Sequence, residues 1–167
     1  NNKFLAQHNS TAFIRDGLGN AEGTSAIMVE DCQNIEQYNS ESVGRPLIGN
    51  NVRIINPETS DINDELKCGE IGLFCFTSET LMLGYYNDTE ATNKVIKTDK
   101  NGIRWFVTDT LMHIDEKGYG YADGRIRRFF ITITDDGKAF KVYTDNIQKV
   151  IIENFPNDIL NVGVVKK

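Results

Sequence analysis

Residues 69–92 read GEIGLFCFTSETLMLGYYNDTEAT, and residues 104–128 read RWFVTDTLMHIDEKGYGYADGRIRR. Together they are a string of short alternating strands joined by tight polar turns, closing on Gly124-Arg125 where the organisation changes. In 70–76, Ile71, Leu73 and Cys75 fall on one face of a strand and Phe74 and Phe76 on the other. Asn87 is an N-cap with Glu90 three residues later, which predicts a short helix over Asp88–Ile96. Asn101-Gly102, Glu116-Lys117-Gly118 and Asp136-Gly137 are turn signals between Tyr-, Phe- and Ile-rich runs. Residues 45–134 therefore read as antiparallel β with one short helix.

Working outward, residues 11–44 hold an apolar piece at Ala12–Ile14, a glycine-rich turn and a strand at Ser25–Val29. They read as the end of something larger. Val52–Ile55 is a short apolar run after Gly49-Asn50-Asn51. Beyond Arg125, Arg128–Thr134 and Lys138–Tyr143 form a hairpin. Asp145 with Gln148 caps a helix that carries Ile147, Val150 and Ile151 on one face, and Ile159–Val165 is a closing strand. A hairpin, one helix and one strand make about half of a layered domain, with an unpaired sheet edge. The expectation is that this last domain is truncated.

A chain of 167 residues holds one ordinary domain or two small ones. Its 40% apolar and 25% charged residues describe a soluble globular protein. No run approaches the ~18 apolar residues of a membrane span, and NNKFLAQHNS at the start lacks the basic-then-apolar order of a signal peptide. A net charge of −6 argues against a nucleic-acid partner, whose backbone demands Lys and Arg, but leaves room for a small nucleotide site. Cys32, Cys68 and Cys75 are odd in number and show no Cys-x-x-Cys spacing. Cys75 reads as a buried, reduced thiol, and a cytoplasmic location fits.

The segment DGLGNAEGTSA, residues 16–26, is the first candidate for chemistry. Gly17, Gly19 and Gly23 do not match Gly-x-Gly-x-x-Gly, and no clear helix follows to supply a dipole. Glu22 is the better clue, because a carboxylate flanked by small residues can hold Mg²⁺ against a phosphate. The same residues also read as a tight turn with a solvated Glu. His8 and His113 suggest neither a metal site nor a nucleophile–base pair, and His113 reads as a packing residue on an alternating strand.

These segments resemble the second half of the AMP-forming adenylating enzymes, the superfamily of acyl-CoA synthetases, aryl-CoA ligases, luciferases and peptide-synthetase adenylation domains. The most specific match is to the family's Gly-Glu-Leu strand followed by Gly-Tyr-Tyr-x-x-x-x-x-Thr, carried here by Gly69, Glu70, Gly84, Tyr85, Tyr86, Glu90, Ala91 and Thr92. Tyr85 and Tyr86 are taken as a family marker, physically core or rim aromatics. VGRPLIGNNVRIINPE at 43–58 is similar to Val-Gly-x-Pro-x-Pro-Gly, where Pro46 and Gly49 set turn geometry. The family's Tyr-Gly-x-Thr-Glu falls on Leu18, Gly19, Asn20, Ala21 and Glu22. The resemblance implies nucleotide contact near Gly19 and a metal-binding Glu22, while Leu18 and Ala21 lack the family's adenine-stacking ring and α-phosphate hydroxyl.

The family's Trp-Tyr-x-Thr-Gly-Asp-Leu falls on the Trp105 segment, with Asp109 where Gly belongs and Thr110 where the ribose-binding Asp belongs. A carboxylate accepts two hydrogen bonds from a vicinal diol, so a one-residue backbone adjustment lets Asp109 do that work; otherwise the clamp is lost. Gly124-Arg125 matches the Gly-Arg whose Arg reaches ribose and phosphate, and Arg127 falls at the hinge position. The usual Lys-x-x-Gly segment is not recognisable past the hinge, and Thr144-Asp145-Asn146-Ile147-Gln148 loses the carboxylates of Pro-x-Glu-Ile-Glu.

The resemblance implies an α+β fold: a predominantly antiparallel β subdomain, a distorted small barrel, followed by a partial α/β C-terminal lid domain. The expected divisions are 1–44, the end of the large nucleotide-binding domain; 45–124, the β-rich subdomain; 125–128, the hinge; and 129–167, the start of the C-terminal domain. It implies ATP and Mg²⁺ as cofactors, a carboxylic acid as substrate, and CoA or a carrier-protein pantetheine as thiol acceptor. The phosphate loop is expected before residue 1 and the adenylation Lys after Lys167, so the chain alone is expected to be inactive. Two other readings stay open: a degenerate, non-catalytic relative that binds nucleotide or a protein partner, and an unrelated antiparallel β binding module.

Overall fold

The computed structural model describes residue 7 and residues 15–30, 39, 41–126, 129–133 and 139–155. His8, Cys32, Arg127, the Ala12–Ile14 piece, the Asp136-Gly137 turn and the Ile159–Val165 strand lie outside the described residues. In chain order the elements are β1 (Gly17–Asn20), a 3-10 turn (Ala21–Gly23), β2 (Ser25–Val29), β3 (Ser42–Pro46), β4 (Asn50–Ile55), β5 (Gly72–Ser78), α1 (Thr89–Val95), β6 (Ile96–Thr98), β7 (Arg104–Ile114) and β8 (Gly120–Arg125). After these come β9 (Phe129–Ile133), β10 (Ala139–Tyr143) and α2 (Thr144–Asn154). The fold is α+β and mostly antiparallel sheet, as expected.

One sheet runs β1-β2-β3-β8-β7-β5-β4, with β6 also pairing β7, and every pairing is antiparallel. It is open, which corrects the expected small barrel. Closure needs a backbone ladder across the gap. Among the described residues no ladder joins β4 to β2 or β1; the turn after β3 and the start of β4 meet β2 through the Leu47 amide on the Ile27 carbonyl (2.9 Å) and the Asn50 side-chain amide on the Ala26 and Ile27 carbonyls (3.5 and 3.4 Å). At Gly44 (φ +87) the backbones of β2 and β3 are so close that a Cβ would sit 1.9 Å from the Val29 carbonyl carbon, so only glycine fits.

The unbroken apolar run Leu73-Phe74-Cys75-Phe76 is explained by burial of β5 on both faces. Phe74 and Phe76 join Ile27, Met28, Ile54, Phe106 and Met112 on one side. Leu73 and Cys75 join Ile55, Ile62, Trp105 and Leu111 on the other. The Phe76 ring lies 5.4 Å from Phe106 and 6.1 Å from Phe74, centroid to centroid. Burial pushes the Cys75 thiol up to about 12, against a smaller opposing pull from the Arg53 charge, so it is an inert core thiol. Ile71 does not share the Leu73 face. It is 53% exposed, because strand pairing begins only at Gly72 after the Gly69 turn.

Beneath the second core lies a polar network. The Asp99 carboxylate is buried and accepts the Asn101 and Ile103 amides and the Trp105 indole N–H, at 2.9, 2.9 and 3.1 Å. Arg53 stacks 4.2 Å over the Trp105 ring and pairs with Glu65 at 3.1 Å. This network is the physical content of the Asn101-Gly102 turn. Burial alone would raise the Asp99 pKa. The Ile103 amide, the Trp105 indole, the Asn101 amide and the Arg53 charge outweigh it and hold the carboxyl below its usual range.

Small differences from expectation have local causes. Asp88, not Asn87, caps α1: its carboxylate accepts the Ala91 amide at 2.8 Å, while Asn87 turns the chain at φ +52. The expected hairpin is β9–β10. Helix α2 starts at Thr144, directly off β10, one residue before the expected cap; Ile147 and Ile151 are half-buried but Val150 is exposed.

Phe76→Ala is expected to destabilise the chain by about 3–5 kcal/mol in urea unfolding, since Phe106, Ile27 and Gly23 cannot all collapse into the space. Asp99 titrates lower folded than unfolded, so its contribution is complete above the usual carboxylate range and is lost as pH falls through the depressed value. Asp99→Asn is therefore expected to lower the denaturation midpoint at neutral pH and to flatten its fall between about pH 6 and pH 3, followed by circular dichroism.

Candidate functional site

Glu22 sits at the tip of the β1–β2 hairpin, in the 3-10 turn. Asn20 caps that turn, its side-chain oxygen accepting the Glu22 amide at 3.0 Å, and Thr24 closes it in the left-handed region at φ +70. Gly23 lets the turn sit down on the core: a Cβ there would lie 2.6 Å from Ile27 and 2.7 Å from the Phe76 ring. Gly19 pairs with Ala26 in the hairpin and does not line the cavity described below. Leu18, at the place of the family's stacking aromatic, packs against the core instead.

Residues 79–86, without helix or strand after β5, strap this turn from outside. The Met82 amide donates to the Glu22 carbonyl at 2.8 Å. The Thr80 hydroxyl donates to the Gly23 carbonyl at 2.8 Å, and the Thr24 hydroxyl to the Thr80 carbonyl at 3.0 Å. At the end of the strap, the Tyr85 hydroxyl donates to Glu22 Oε1 at 2.6 Å. That bond, with some burial and the adjacent negative charge, pushes the Tyr85 phenol up to about 12. Tyr85 thus stays protonated, and stays a donor, at any ordinary pH.

Asp109 arrives from the other side. Between β5 and β7 the register passes from Leu73↔Leu111 to Cys75↔Val107, so Phe74 alone faces Thr108, Asp109 and Thr110. The bulge is pinned by the Thr108 hydroxyl, which donates to the Phe74 carbonyl at 2.8 Å and accepts the Thr110 amide at 3.0 Å. Its effect is to put Asp109 on the cavity while Thr110 stays in the β7–β8 ladder opposite Arg125. The Asp109 carbonyl accepts the Ile126 amide at 2.8 Å, and Arg125, 57% exposed, brings a guanidinium nitrogen to 4.0 Å from the Asp109 carboxylate.

The result is an open cavity of about 390 Å³ whose uncharged and acidic polar groups come from Asn20, Glu22, Ser60, Tyr85, Thr108 and Asp109. Lys94 and Lys97, from α1 and β6, also line it, and Phe106, Val107 and Ile126 supply apolar wall. Among the described residues no three His, Cys, Asp or Glu side chains gather as a metal cage. A lone carboxylate fits an ion that arrives on a phosphate and keeps most of its other ligands from phosphate and water. Of the residues singled out from sequence, the structure brings Glu22 and Asp109 into one cavity, with Arg125 beside Asp109. Sequence reasoning missed Tyr85 as a partner of Glu22, along with Asn20 and Thr108; only Tyr85 carried a signal, inside Gly84-Tyr85-Tyr86. His113 packs, as expected, by stacking on Tyr121 at 4.9 Å, and its Nδ1 lies 2.8 Å from Asp123. No described helix is long and apolar enough to cross a membrane.

No family model matches the chain. It is 40% identical over 106 residues to "Probable 4-coumarate--CoA ligase 2" of Dictyostelium discoideum, covering 64% of this chain and 17% of that protein. It is 35% identical over 124 residues to "Putative acyl--CoA ligase YdaB" of Bacillus subtilis (strain 168), covering 74% of this chain and 22% of the relative. The chain thus spans about a fifth of the length of these relatives. Its structure superposes on ATP-bound MatB from Rhodopseudomonas palustris with a TM-score of 0.67 and 26% identity, covering 93% of this chain and 27% of that one. With sequence relatives and structural neighbours drawn from one superfamily, the chain belongs to the AMP-forming adenylating enzymes.

Proposed function

We propose that this chain is the ribose- and metal-binding part of an ATP-dependent, AMP-forming acid–thiol ligase. In that reaction a substrate carboxylate attacks the α-phosphate of ATP, forming the acyl–phosphate bond and expelling pyrophosphate. A thiol of CoA or of a carrier pantetheine then attacks the acyl carbon and releases AMP. What supports the reading is one observation above the rest: Glu22 and Asp109, far apart in sequence, line the same cavity.

Each residue has a task suited to its chemistry. Asp109 accepts the two ribose hydroxyls, because a carboxylate is an acceptor with several lone-pair directions. Arg125, near it, reaches toward ribose and phosphate. Glu22 holds Mg²⁺, which when bound neutralises phosphate charge during the attack. Gly19 keeps the hairpin narrow enough for its tip to reach the site, and Thr110 anchors the bulge in the ladder. The change from the main sheet to the separate β9–β10 hairpin, around Arg127, is the hinge on which the following lid turns. Residues 1–44 then belong to the large domain, 45–124 to the β subdomain and 129–167 to the lid.

The 167-residue chain alone is expected to show no ATP–pyrophosphate exchange, because the phosphate loop and the adenylation Lys implied by the resemblance lie outside it. In the full-length protein, Asp109→Ala is expected to weaken ATP binding in calorimetry about 10- to 100-fold, the loss of one charge-assisted pair of hydrogen bonds. The same variant is expected to bind 2′,3′-dideoxy-ATP as the unmodified protein does. An equal loss for both nucleotides would remove Asp109 from the ribose.

A further inference from the structure

The strap assigns a role to a side chain that the family resemblance leaves as a marker: we propose that Tyr85 is the positioning residue for the metal-binding carboxylate of Glu22. The inference rests on the reading that Glu22 holds the ion. Its geometry is independent of that reading. A Glu side chain at the tip of a hairpin has three rotatable bonds, and an exposed one samples many rotamers. Here one oxygen, Oε1, is taken by the Tyr85 hydroxyl at 2.6 Å. Tyr85 and Glu22 both line the cavity, so the bond is made at the site, not behind it.

Tyr85 is itself fixed at its backbone. Its amide donates to the Thr92 hydroxyl at 2.9 Å, and Thr92 in turn donates to the Asp88 carbonyl at 2.8 Å in the first turn of α1. Three residues earlier, the Met82 amide holds the Glu22 carbonyl at 2.8 Å. Arg104 donates to the Leu83 carbonyl at 2.8 Å and tethers the strap to β7. Glu22 is therefore gripped at both ends, its main chain by Met82 and its carboxylate by Tyr85. The phenol is a neutral donor, so it orients the carboxylate without cancelling the charge that attracts the ion. A lysine in the same place would cancel it. With Oε1 held in this way, the carboxylate is ordered before an ion arrives, and the ion is spared the cost of ordering it.

The test uses the full-length protein and Mn²⁺ as the probe ion, counted by electron paramagnetic resonance in the presence of ATP, with Tyr85→Phe, Glu22→Gln and the double variant. Thermal melts check that each variant folds; Tyr85→Phe removes only one hydroxyl from a part-exposed ring. Tyr85→Phe is expected to weaken Mn²⁺ binding about tenfold, to leave ATP binding without metal unchanged, and to have no further effect once Glu22 is Gln. In the exchange reaction it is expected to raise the KM for Mg²⁺ while leaving kcat at saturating Mg²⁺ near its original value. If Glu22→Gln weakens Mn²⁺ but Tyr85→Phe does not, or if Tyr85→Phe weakens ATP equally with and without metal, the positioning role is overturned and the metal reading survives. If Glu22→Gln leaves Mn²⁺ binding intact, both fall.

Discussion

Phe74 and Phe76 leave β5 on one face, Leu73 and Cys75 on the other, and a strand buried on both faces has to be covered twice. That constraint organises the site as well as the core. The Glu22 turn descends on β5 through Gly23, which meets the Phe76 ring. The Asp109 bulge is tied to β5 through the Thr108 hydroxyl and the Phe74 carbonyl. The two candidate carboxylates are thus tied to residues 74 and 76 of one strand, one turn through a ring and one bulge through a backbone carbonyl, and both line one cavity. Sequence neighbours, Asn20 and Gly23 for Glu22 and Thr108 for Asp109, shape each loop, and β5 supplies the common strand against which both are set.

The charge arrangement has a consequence for what can bind. The chain carries a net charge of −6, and the cavity contains two carboxylates against two lysines that line it. A bare polyphosphate gains little there by long-range attraction. On the proposed reading the two carboxylates are used differently: Asp109 faces neutral hydroxyl donors, and Glu22 faces a cation that travels with the phosphates. Neither then opposes the nucleotide. Arg53, Trp105 and Asp99 repeat the same logic beneath the second core, where a buried carboxylate is tolerated because amides, an indole and a guanidinium surround it.

Much of this was legible in the sequence, and the parts that were not share a cause. The alternation in 73–76, the strand at 25–29, the hairpin after Arg125 and the turns at Gly102 and Gly118 are local patterns, and they appear where the pattern puts them. That Glu22 and Asp109 line one cavity was foreshadowed by motif spacing, which singles out both. The open sheet was not, since closure depends on whether two distant strands pair, and no periodicity records that. The bulge at 108–110 was not legible either, because a register shift is set by how two strands pair; in the structure it puts Asp109 on the cavity. The Asn87/Asp88 exchange at the start of α1 reflects two adjacent residues of equal capping ability, decided by which one takes the positive φ.

The spacing Gly-Tyr-Tyr-x-x-x-x-x-Thr, read first as a marker, has a physical account in this molecule. Thr92 lies in the first turns of α1, and its hydroxyl both accepts from the Tyr85 amide and donates to the Asp88 carbonyl. A Cβ at residue 84 would lie 2.9 Å from the Thr92 methyl and 3.0 Å from its hydroxyl, so the chain passes Thr92 only as glycine. That close passage fixes the direction in which Tyr85 leaves the strap, and its ring then reaches Glu22, 63 residues earlier in the chain. Gly84, Thr92 and Tyr85 are therefore one device: the helix sets the strap, the strap sets the ring, and the ring sets the carboxylate. Tyr86, 93% exposed, takes no part in it. The first tyrosine of the pair carries the constraint, and nothing in the described structure requires the second.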